Sequence, residues 1–126
     1  MHENEISEKV IGCAIAVHRA LGPGLLESVY EECLAAEMDG RLIRYERQKP
    51  VPVIYRNVKL DCAYRVDFLV EGKVIVDLKA IELVPPVMYA QVLTYTRLLN
   101  RRLGLLINFH VPRLKDGVKR VANELR

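Results

Sequence analysis

Apolar side chains recur at intervals of three and four along roughly the first forty residues, which predicts two amphipathic helices. The first helix is expected over residues 6–21 and the second over residues 25–38. The segment Gly22-Pro23-Gly24 between them combines two residue types that interrupt helices. Asp39-Gly40 is expected to end the second helix.

From residue 42 onward the spacing of apolar residues is typical of strands. The first predicted strand is expected at a sheet edge, because Pro52 cannot donate a hydrogen bond to a neighbouring strand. A third helix is expected over residues 87–100, after Pro85-Pro86. Residues 117–125 fit either a strand or a helix. The predicted strands span residues 51–55, 62–70, 74–80 and 102–109.

The resulting order of elements is ααβββαβ. The helix between the last two strands predicts that they form a parallel crossover pair, so the sheet is expected to be mixed. The chain has 126 residues, which is the size of one ordinary domain, and it contains no internal repeat or linker. We therefore expect a single α/β domain over residues 1–126.

The loop between the second and third predicted strands decides where their charged side chains point. A two-residue loop would mix polar and apolar residues on both faces of the hairpin. A three-residue loop, Glu71-Gly72-Lys73, makes one face wholly apolar, with Phe68 opposite Val76 and Val66 opposite Leu78. Burial favours this second register, and the glycine suits the positive φ of a three-residue loop.

The other face of this hairpin would place Asp67 opposite Asp77 and Arg65 opposite Lys79. Two facing carboxylates repel each other and raise one pKa, and a divalent cation that takes hard oxygen ligands would remove the repulsion. Lys79 could then stabilise charge on a phosphate. The alternative is a solvated hairpin face. The apolar run at residues 74–76 argues against it, because such a run predicts a central strand covered on both sides.

Composition excludes several other classes of protein. Cys13, Cys33 and Cys62 are far apart and form no CxxC or Cys/His cluster, so we expect reduced, buried thiols rather than a zinc or iron–sulfur site. The acidic, polar start does not resemble a signal peptide, and no uncharged run is long enough to span a membrane. These features predict a soluble cytoplasmic protein without a membrane contact.

The formal net charge of +3 permits nucleic-acid binding without arguing for it. Basic residues gather at residues 97–102 and in the last fourteen residues. On charge alone, a solvated surface is the better explanation of such a distribution. The candidates for phosphate contacts are Arg97, Arg101, Arg102, Lys119 and Arg120.

Asp67 followed by Asp77-Leu78-Lys79 resembles the motif of the PD-(D/E)XK nuclease superfamily, which uses an acid on one strand and acid-x-Lys on the next. Residues 24–30, Gly-Leu-Leu-Glu-Ser-Val-Tyr, look like the signature of the GxxExxY family, small bacterial and archaeal proteins assigned to that superfamily. The likeness covers about residues 5–125. Many members have Glu where Asp77 stands, and either carboxylate satisfies the motif. The resemblance implies a restriction-endonuclease-like mixed sheet flanked by helices.

The resemblance also implies roles for individual residues. Glu27, Asp67 and Asp77 would bind Mg2+, for which Mn2+ is the expected substitute, and Lys79 would be the catalytic lysine. The residues themselves leave another possibility open for Glu27, since the helix dipole favours a glutamate in the first turn of a helix.

Gln91 and Tyr95 are similar to a QxxxY element of some nucleases of the superfamily, and their spacing places both on one helix face. Gln91 could reach the substrate or a metal-bound water, or both side chains could simply pack. His18 and Tyr30 are auxiliary candidates. Each also has an ordinary explanation: His18 as a partner of the helix dipole, and Tyr30 as a core residue with a satisfied hydroxyl.

The expected function is a magnesium-dependent nuclease that hydrolyses phosphodiester bonds of nucleic acid, with DNA as the first expected substrate. The sequence leaves a homodimer open. One alternative is a non-catalytic module that retains the nuclease fold and binds nucleic acid or protein. Another is a subunit of a larger defence or repair assembly. Retention of Asp67, Asp77 and Lys79 together favours the enzyme.

Overall fold

The structure is a computed structural model that describes the backbone of residues 1–126 and all side chains except those of residues 62 and 63. The predicted order of elements is confirmed, and the undecided tail forms a further strand. The elements are α1 (Glu3–Leu21), α2 (Glu27–Gly40), β1 (Tyr45–Tyr55), β2 (Val58–Val70), β3 (Val74–Lys79), α3 (Pro86–Leu98), β4 (Leu103–Asn108), a short 3-10 helix (Leu114–Gly117) and β5 (Val118–Ala122).

The five strands form one sheet in the order β1-β2-β3-β4-β5. β3 and β4 are parallel and joined by α3, whereas the other neighbouring strands are antiparallel. The predicted mixed α/β sheet is therefore confirmed, with β1 at one edge as expected. None of the helices in the described residues is both long enough and apolar enough to cross a membrane.

The helices cover both faces of the sheet. On one face, α1 and α2 bury side chains against alternate residues of β3 and β4, including Val76, Leu78 and Leu105. On the other face, Tyr95 of α3 packs in a smaller cluster with Ile75 of β3. This two-sided burial explains why every residue of β3 except Lys79 is buried.

The backbone between the first two helices follows from its glycines. α1 ends at Gly22, which has φ +74° and donates its N–H to the carbonyl of His18 at 2.7 Å. Gly24 also has a positive φ, and α2 begins at Glu27, two residues later than predicted. Cys13 is buried and Cys33 half-buried, both as free thiols. The expectation for Cys62 lies outside the described residues.

The β2–β3 hairpin has the predicted three-residue loop, with Val70 opposite Val74 and Phe68 opposite Val76. Its glycine, Gly72, has the expected positive φ of +67°. In the described chain, however, the ladder ends at Phe68–Val76. The predicted pairs beyond it were wrong, namely Val66–Leu78, Asp67–Asp77 and Arg65–Lys79.

The ladder ends because a side chain takes the place of the next backbone partner. Asp67 Oδ2 accepts a hydrogen bond from the backbone N–H of Leu78 at 2.7 Å. Val66 consequently packs with Val51 and Tyr95 on the α3 face rather than with Phe68 on the other face. The alternation of faces along β2 is therefore interrupted at Asp67.

The pairing of β1 with β2 continues far past the part of β2 that pairs with β3. Their register runs from Tyr45–Val70 to Tyr55–Val58, whereas β3 pairs only with residues 68–70. The outer part of this hairpin, residues 51–65, thus projects as a two-stranded extension, which we call the arm.

Candidate active site

The candidate site lies where β3 ends. Asp77 and Lys79 are in the last three residues of this central strand, and Lys79 pairs with Asn108 at the end of β4. Asp77 is 7% exposed, and the side chain of Lys79 is 19% exposed. The sequence forms a buried strand up to this point, so that a carboxylate and an ammonium group are held together at its end.

Asp77 is only partly compensated in this position. Lys79 Nζ lies 3.3 Å from Asp77 Oδ2, which makes an ion pair but not a well-aligned hydrogen bond. Among the described residues, this buried oxygen has no hydrogen-bond partner. Burial raises the pKa of Asp77, and the charge of Lys79 opposes the rise only in part.

Asp67 is fixed more firmly. Besides the bond from Leu78 N, its Oδ1 accepts a hydrogen bond from Gln48 Nε2 at 3.1 Å. Burial raises the pKa of Asp67; the Leu78 N–H lowers it, and the negative charge of Asp77 raises it again. The charge of Asp77 therefore acts on Asp67, although the two residues are not cross-strand partners.

Glu27 joins the site from α2. It is the first residue of that helix and remains exposed. Burial of part of its side chain raises its pKa, followed by the charge of Asp67, while Lys79 lowers it. Glu27 therefore lies within range of the charges of Asp67 and Lys79, and the helix dipole also favours an acid at this position.

Glu27, Asp67 and Asp77 are called the carboxylate cluster below. Tyr30 fixes the start of α2 and is not part of this cluster. Its hydroxyl donates to Gly22 O at 2.6 Å and accepts from Leu25 N at 3.2 Å. Its ring stacks on Phe109 with 4.3 Å between centroids. The pair Glu27 and Tyr30, three residues apart, therefore combines a candidate site acid with a residue that anchors its helix.

Two further residues of the site escaped the sequence analysis. Glu31 Oε1 accepts a hydrogen bond from Gln48 Nε2 at 2.7 Å, so that one amide bridges Glu31 and Asp67. Arg47 Nη2 lies 2.7 Å from the other oxygen of Glu31. The spacing of Glu27 and Glu31, four residues apart on a helix, was a usable signal. The sequence carried no comparable signal for Gln48, which has φ +51° within a strand.

Gln91 and Tyr95 share one face of α3, as predicted. Tyr95 is buried, and its pKa is raised first by burial and then by the charge of Asp77. Gln91 is half-buried, and its side chain opposes this rise in the pKa of Tyr95. Tyr95 therefore borders Asp77 from the α3 face, and Gln91 lies one turn earlier on the same helix.

His18 lies elsewhere in the fold. Its Nε2 hydrogen-bonds to the carbonyl oxygen of Val111 at 2.9 Å, and its ring lies 6.4 Å from that of Phe109. The contact ties the end of α1 to the segment that follows β4. The structure thus gives His18 a role in packing and does not bring it into the carboxylate cluster.

The predicted phosphate contacts are scattered. Arg101 precedes β4 and donates to Gly72 O at 2.8 Å and Leu99 O at 2.6 Å, at the end of the sheet opposite Lys79. Arg102 lies beside it, and Arg97 is in the last turn of α3, which leads to the same end. Arg120 hydrogen-bonds to Asn4 of α1.

Lys119 is the exception among these five basic residues. It pairs with Leu106, which in turn pairs with Asp77, so it belongs to the same row across the sheet. Two arginines beside the site were not predicted as phosphate contacts. Arg47 bonds to Glu31 at 2.7 Å, and Arg65 donates to Gln48 O at 3.2 Å.

The donor atoms of the site suit a hard divalent cation, but the acids that carry them lie apart. Asp77 offers a buried oxygen without a partner, and Asp67 and Glu27 add carboxylates, the ligands that Mg2+ and Mn2+ prefer. Among the described residues, however, no group of three or more His, Cys, Asp or Glu side chains is gathered closely enough to hold a metal ion. The chemistry therefore fits, while the ligands are not drawn together.

A mixed sheet with helices on both faces, and an acid-x-Lys at the end of its central strand, defines the restriction-endonuclease-like class of folds. A family model of the PD-(D/E)XK nuclease superfamily matches residues 4–121, and the chain belongs to that superfamily. No curated protein and no solved structure gives a significant match. Membership indicates a nuclease, nucleic acid as its binding partner, and the divalent metals that such nucleases generally use.

Proposed function

We propose that this protein is a magnesium-dependent nuclease of the GxxExxY type that hydrolyses phosphodiester bonds of nucleic acid, DNA in the first place. The observation that carries the proposal is Asp77 Oδ2, a buried carboxylate oxygen without a hydrogen-bond partner among the described residues. It stands 3.3 Å from Lys79 Nζ, beside Asp67 on the neighbouring strand.

The energetic state of Asp77 supports a bound cation. A buried polar group without a partner costs roughly 1–3 kcal/mol, and a charged one costs more. Such a cost persists in a native protein when the group has a function that needs it. Since the charge of Lys79 does not restore the ordinary pKa of Asp77, a second positive charge would be stabilising at this point.

In this proposal the metal is held by Asp77, Asp67 and Glu27. A bound Mg2+ would supply Lewis acidity toward the phosphodiester and lower the pKa of a bound water. Glu27 is the exposed member, so it can move toward the other two when a ligand arrives.

Lys79 has a separate role in this mechanism. Its ammonium group is held at the end of β3 by the ion pair with Asp77. From there it would contact a non-bridging oxygen of the scissile phosphate and stabilise the negative charge that grows as water attacks. Gln91 and Tyr95 border the same space from α3 and would orient the substrate.

One observation favours the second candidate, a non-catalytic binding module. Both oxygens of Asp67 already accept hydrogen bonds, and the described acids are not gathered into a metal-binding group. A module of this kind would keep the fold and the partner while lacking the metal.

The test is thermal unfolding with MgCl2 or MnCl2 titrated into the wild type, Asp77→Asn and Asp116→Asn. Asp116 is an exposed acid in the short 3-10 helix and serves as the control. A ligand that binds only the folded state stabilises it by about 2.7 kcal/mol at a hundredfold excess over Kd. We expect this rise in the wild type and the control and its loss in Asp77→Asn.

The same three proteins are then incubated with labelled single-stranded and duplex DNA and RNA. Metal-dependent cleavage by the wild type and Asp116→Asn, absent from Asp77→Asn, is the expected result. If the wild type shows neither a metal-dependent rise nor cleavage of any substrate, the binding module becomes the better description.

A further inference from the structure

The arm exposes an unusual amount of apolar surface. Its strands pair Val53 with Leu60 and Tyr55 with Val58, and the turn between them contains Arg56 with φ +53°. Large apolar side chains at the protein surface normally occur singly, and contiguous ones indicate a binding surface. Tyr55, Val58 and Leu60 share one face of the arm and are 65%, 56% and 51% exposed. Tyr64 at its base is 50% exposed, and Ile54, on the opposite face, is 61% exposed.

The arm begins at the candidate active site. At its base, the ring of Tyr64 lies 5.9 Å from that of Tyr95. The pKa of Tyr95 is raised in part by the charge of Asp77. Arg65 donates to the backbone of Gln48, which in turn bonds to Asp67. A ligand bound along the arm would therefore lead directly into the carboxylate cluster.

The charge of the arm points to an anionic partner. Residues 51–65 contain three cations, Arg56, Lys59 and Arg65, and one carboxylate, Asp61, which leaves an excess of two positive charges. The guanidinium carbon of Arg56 lies 5.4 Å from the centroid of the Tyr55 ring. An exposed aromatic ring beside an arginine is the combination that stacks on a nucleobase and holds its phosphate.

We propose that the arm binds a nucleic-acid strand with unpaired bases next to the phosphate that enters the carboxylate cluster. Bases stack on Tyr55 and Tyr64, and Arg56 contacts the backbone. This inference rests on the proposed function and narrows its substrate class to single strands, overhangs and branched ends, because a stacked duplex hides the faces of its bases.

A second copy of the chain or another protein strand fits the arm less well. In a symmetric dimer that pairs arm with arm, the excess positive charges would face each other. Addition of a partner strand to the outer edge of β1 is also disfavoured, because Pro50 and Pro52 lack the N–H groups that a new ladder needs.

The experiment measures fluorescence anisotropy of a labelled single-stranded DNA of roughly 20 nucleotides and of the blunt duplex of the same sequence. It is done in EDTA, so that binding is measured without cleavage. The variants are Tyr55→Ala and Arg56→Ala. Lys9→Ala and Leu42→Ala are the charge-matched and apolar controls, both at exposed positions outside the arm.

Tyr55→Ala is expected to weaken single-strand binding about tenfold, with a smaller effect on the blunt duplex. Arg56→Ala is expected to reduce the slope of log affinity against log salt by about 0.7. Both control variants should bind like the wild type. Unchanged affinity of Tyr55→Ala overturns the proposal, as does a wild-type dimer in light scattering that Tyr55→Ala converts to a monomer.

A separate assay judges the proposed function without the arm. Bis(p-nitrophenyl) phosphate is a small diester that does not extend from the carboxylates to the arm, and its hydrolysis with Mn2+ is compared between wild type and Asp77→Asn. Arm-dependent binding of the single strand without any hydrolysis of DNA or the diester would contradict the nuclease and leave the arm inference standing. Asp77-dependent hydrolysis with arm-independent binding would do the reverse.

Discussion

Asp67 Oδ2 accepts the backbone N–H of Leu78 at 2.7 Å, so a side chain of β2 completes the hydrogen bonding of β3 where the strand ladder stops. One carboxylate thereby performs two tasks. It satisfies a buried backbone donor and keeps its own position fixed relative to Asp77, one residue before that donor.

Replacement of Asp67 separates these tasks. Asp67→Ala leaves the Leu78 N–H without an acceptor, and we expect a loss of roughly 1–3 kcal/mol in the free energy of unfolding. Asp67→Asn keeps an oxygen that can accept the bond, so its loss should be smaller, although metal-dependent stabilisation should disappear in both. Urea denaturation with and without MnCl2 measures both effects. Equal destabilisation by the two variants would show that the Leu78 bond contributes little.

Gln48 bridges Glu31 and Asp67 from a backbone conformation that suits glycine, with φ +51°. Both Gln48→Ala and Gln48→Gly remove the bridge and should reduce metal-dependent stabilisation. They differ in the backbone, because the left-handed conformation costs an L-residue about 1–2 kcal/mol. We therefore expect Gln48→Gly to be more stable than Gln48→Ala in thermal unfolding, the reverse of the usual order within a strand.

The raised pKa of Asp77 makes stability depend on pH. Because its folded-state pKa lies above its unfolded value, the folded protein binds more protons, and this group favours folding at low pH. That contribution declines as pH rises from the unfolded value through the folded one. In EDTA, Asp77→Asn should therefore be more stable than wild type at neutral pH, and its advantage should shrink toward pH ~4. Chemical denaturation across this pH range tests the sign, and an advantage that grows in acid would contradict it.

Lys79 is the cation nearest to Asp77 Oδ2 in the described site. Lys79→Ala is expected to lower the rate of phosphodiester cleavage about 100-fold or more, as for the loss of a donor that stabilises a transition-state anion. It should also raise the pKa of Asp77 further, since Lys79 opposes the effect of burial. Single-turnover cleavage of labelled DNA measures the rate, with Lys9→Ala as the control. A rate that stays at the wild-type level would remove Lys79 from the mechanism.

Gly104 sets the distance between α3 and the sheet. A Cβ atom on this residue would lie 2.6 Å from Val92 Cγ1 and 3.2 Å from Thr96 Cγ2. Gly104→Ala should displace α3 and destabilise the fold by roughly 1–3 kcal/mol. Gly40→Ala is the control, because a Cβ there meets nothing within 4 Å. Thermal unfolding of the two variants decides, and similar melting temperatures would mean that α3 adjusts freely.

The succession of helices and strands was predictable because local signals agree with the final fold. The glycines after α1, the apolar run at the start of β3 and the three-residue loop each specify their element without help from distant residues. The register of the hairpin was predicted correctly only as far as Phe68. Beyond it, the sequence pattern does not reveal that the Asp67 side chain binds the backbone of Leu78.

The candidate site was predictable in its strand-borne part and not in its surroundings. Acid-x-Lys at the end of a buried strand is a local pattern, so Asp77 and Lys79 could be found by reading along the chain. Gln48 reaches the site only because β1 pairs with β2 and α2 packs above both, which no local spacing encodes. The clustering of basic residues along the sequence suggested a phosphate contact for Arg101. That residue lies just before β4, at the end of the sheet away from Lys79, and its guanidinium donates to backbone carbonyls.

Phe109 connects the helix-borne and strand-borne parts of the carboxylate cluster. Its backbone N–H donates to Lys79 O at 2.9 Å, and its ring carries the stacked ring of Tyr30, which anchors the helix that begins at Glu27. The distance between Glu27 on α2 and the aspartates on the strands thus depends on the packing of one buried aromatic residue. Transfer of Glu27, Asp67, Asp77 and Lys79 to another scaffold would therefore reproduce their functional groups but not their spacing. The new scaffold would also need a buried residue that contacts both the helix and the strand end.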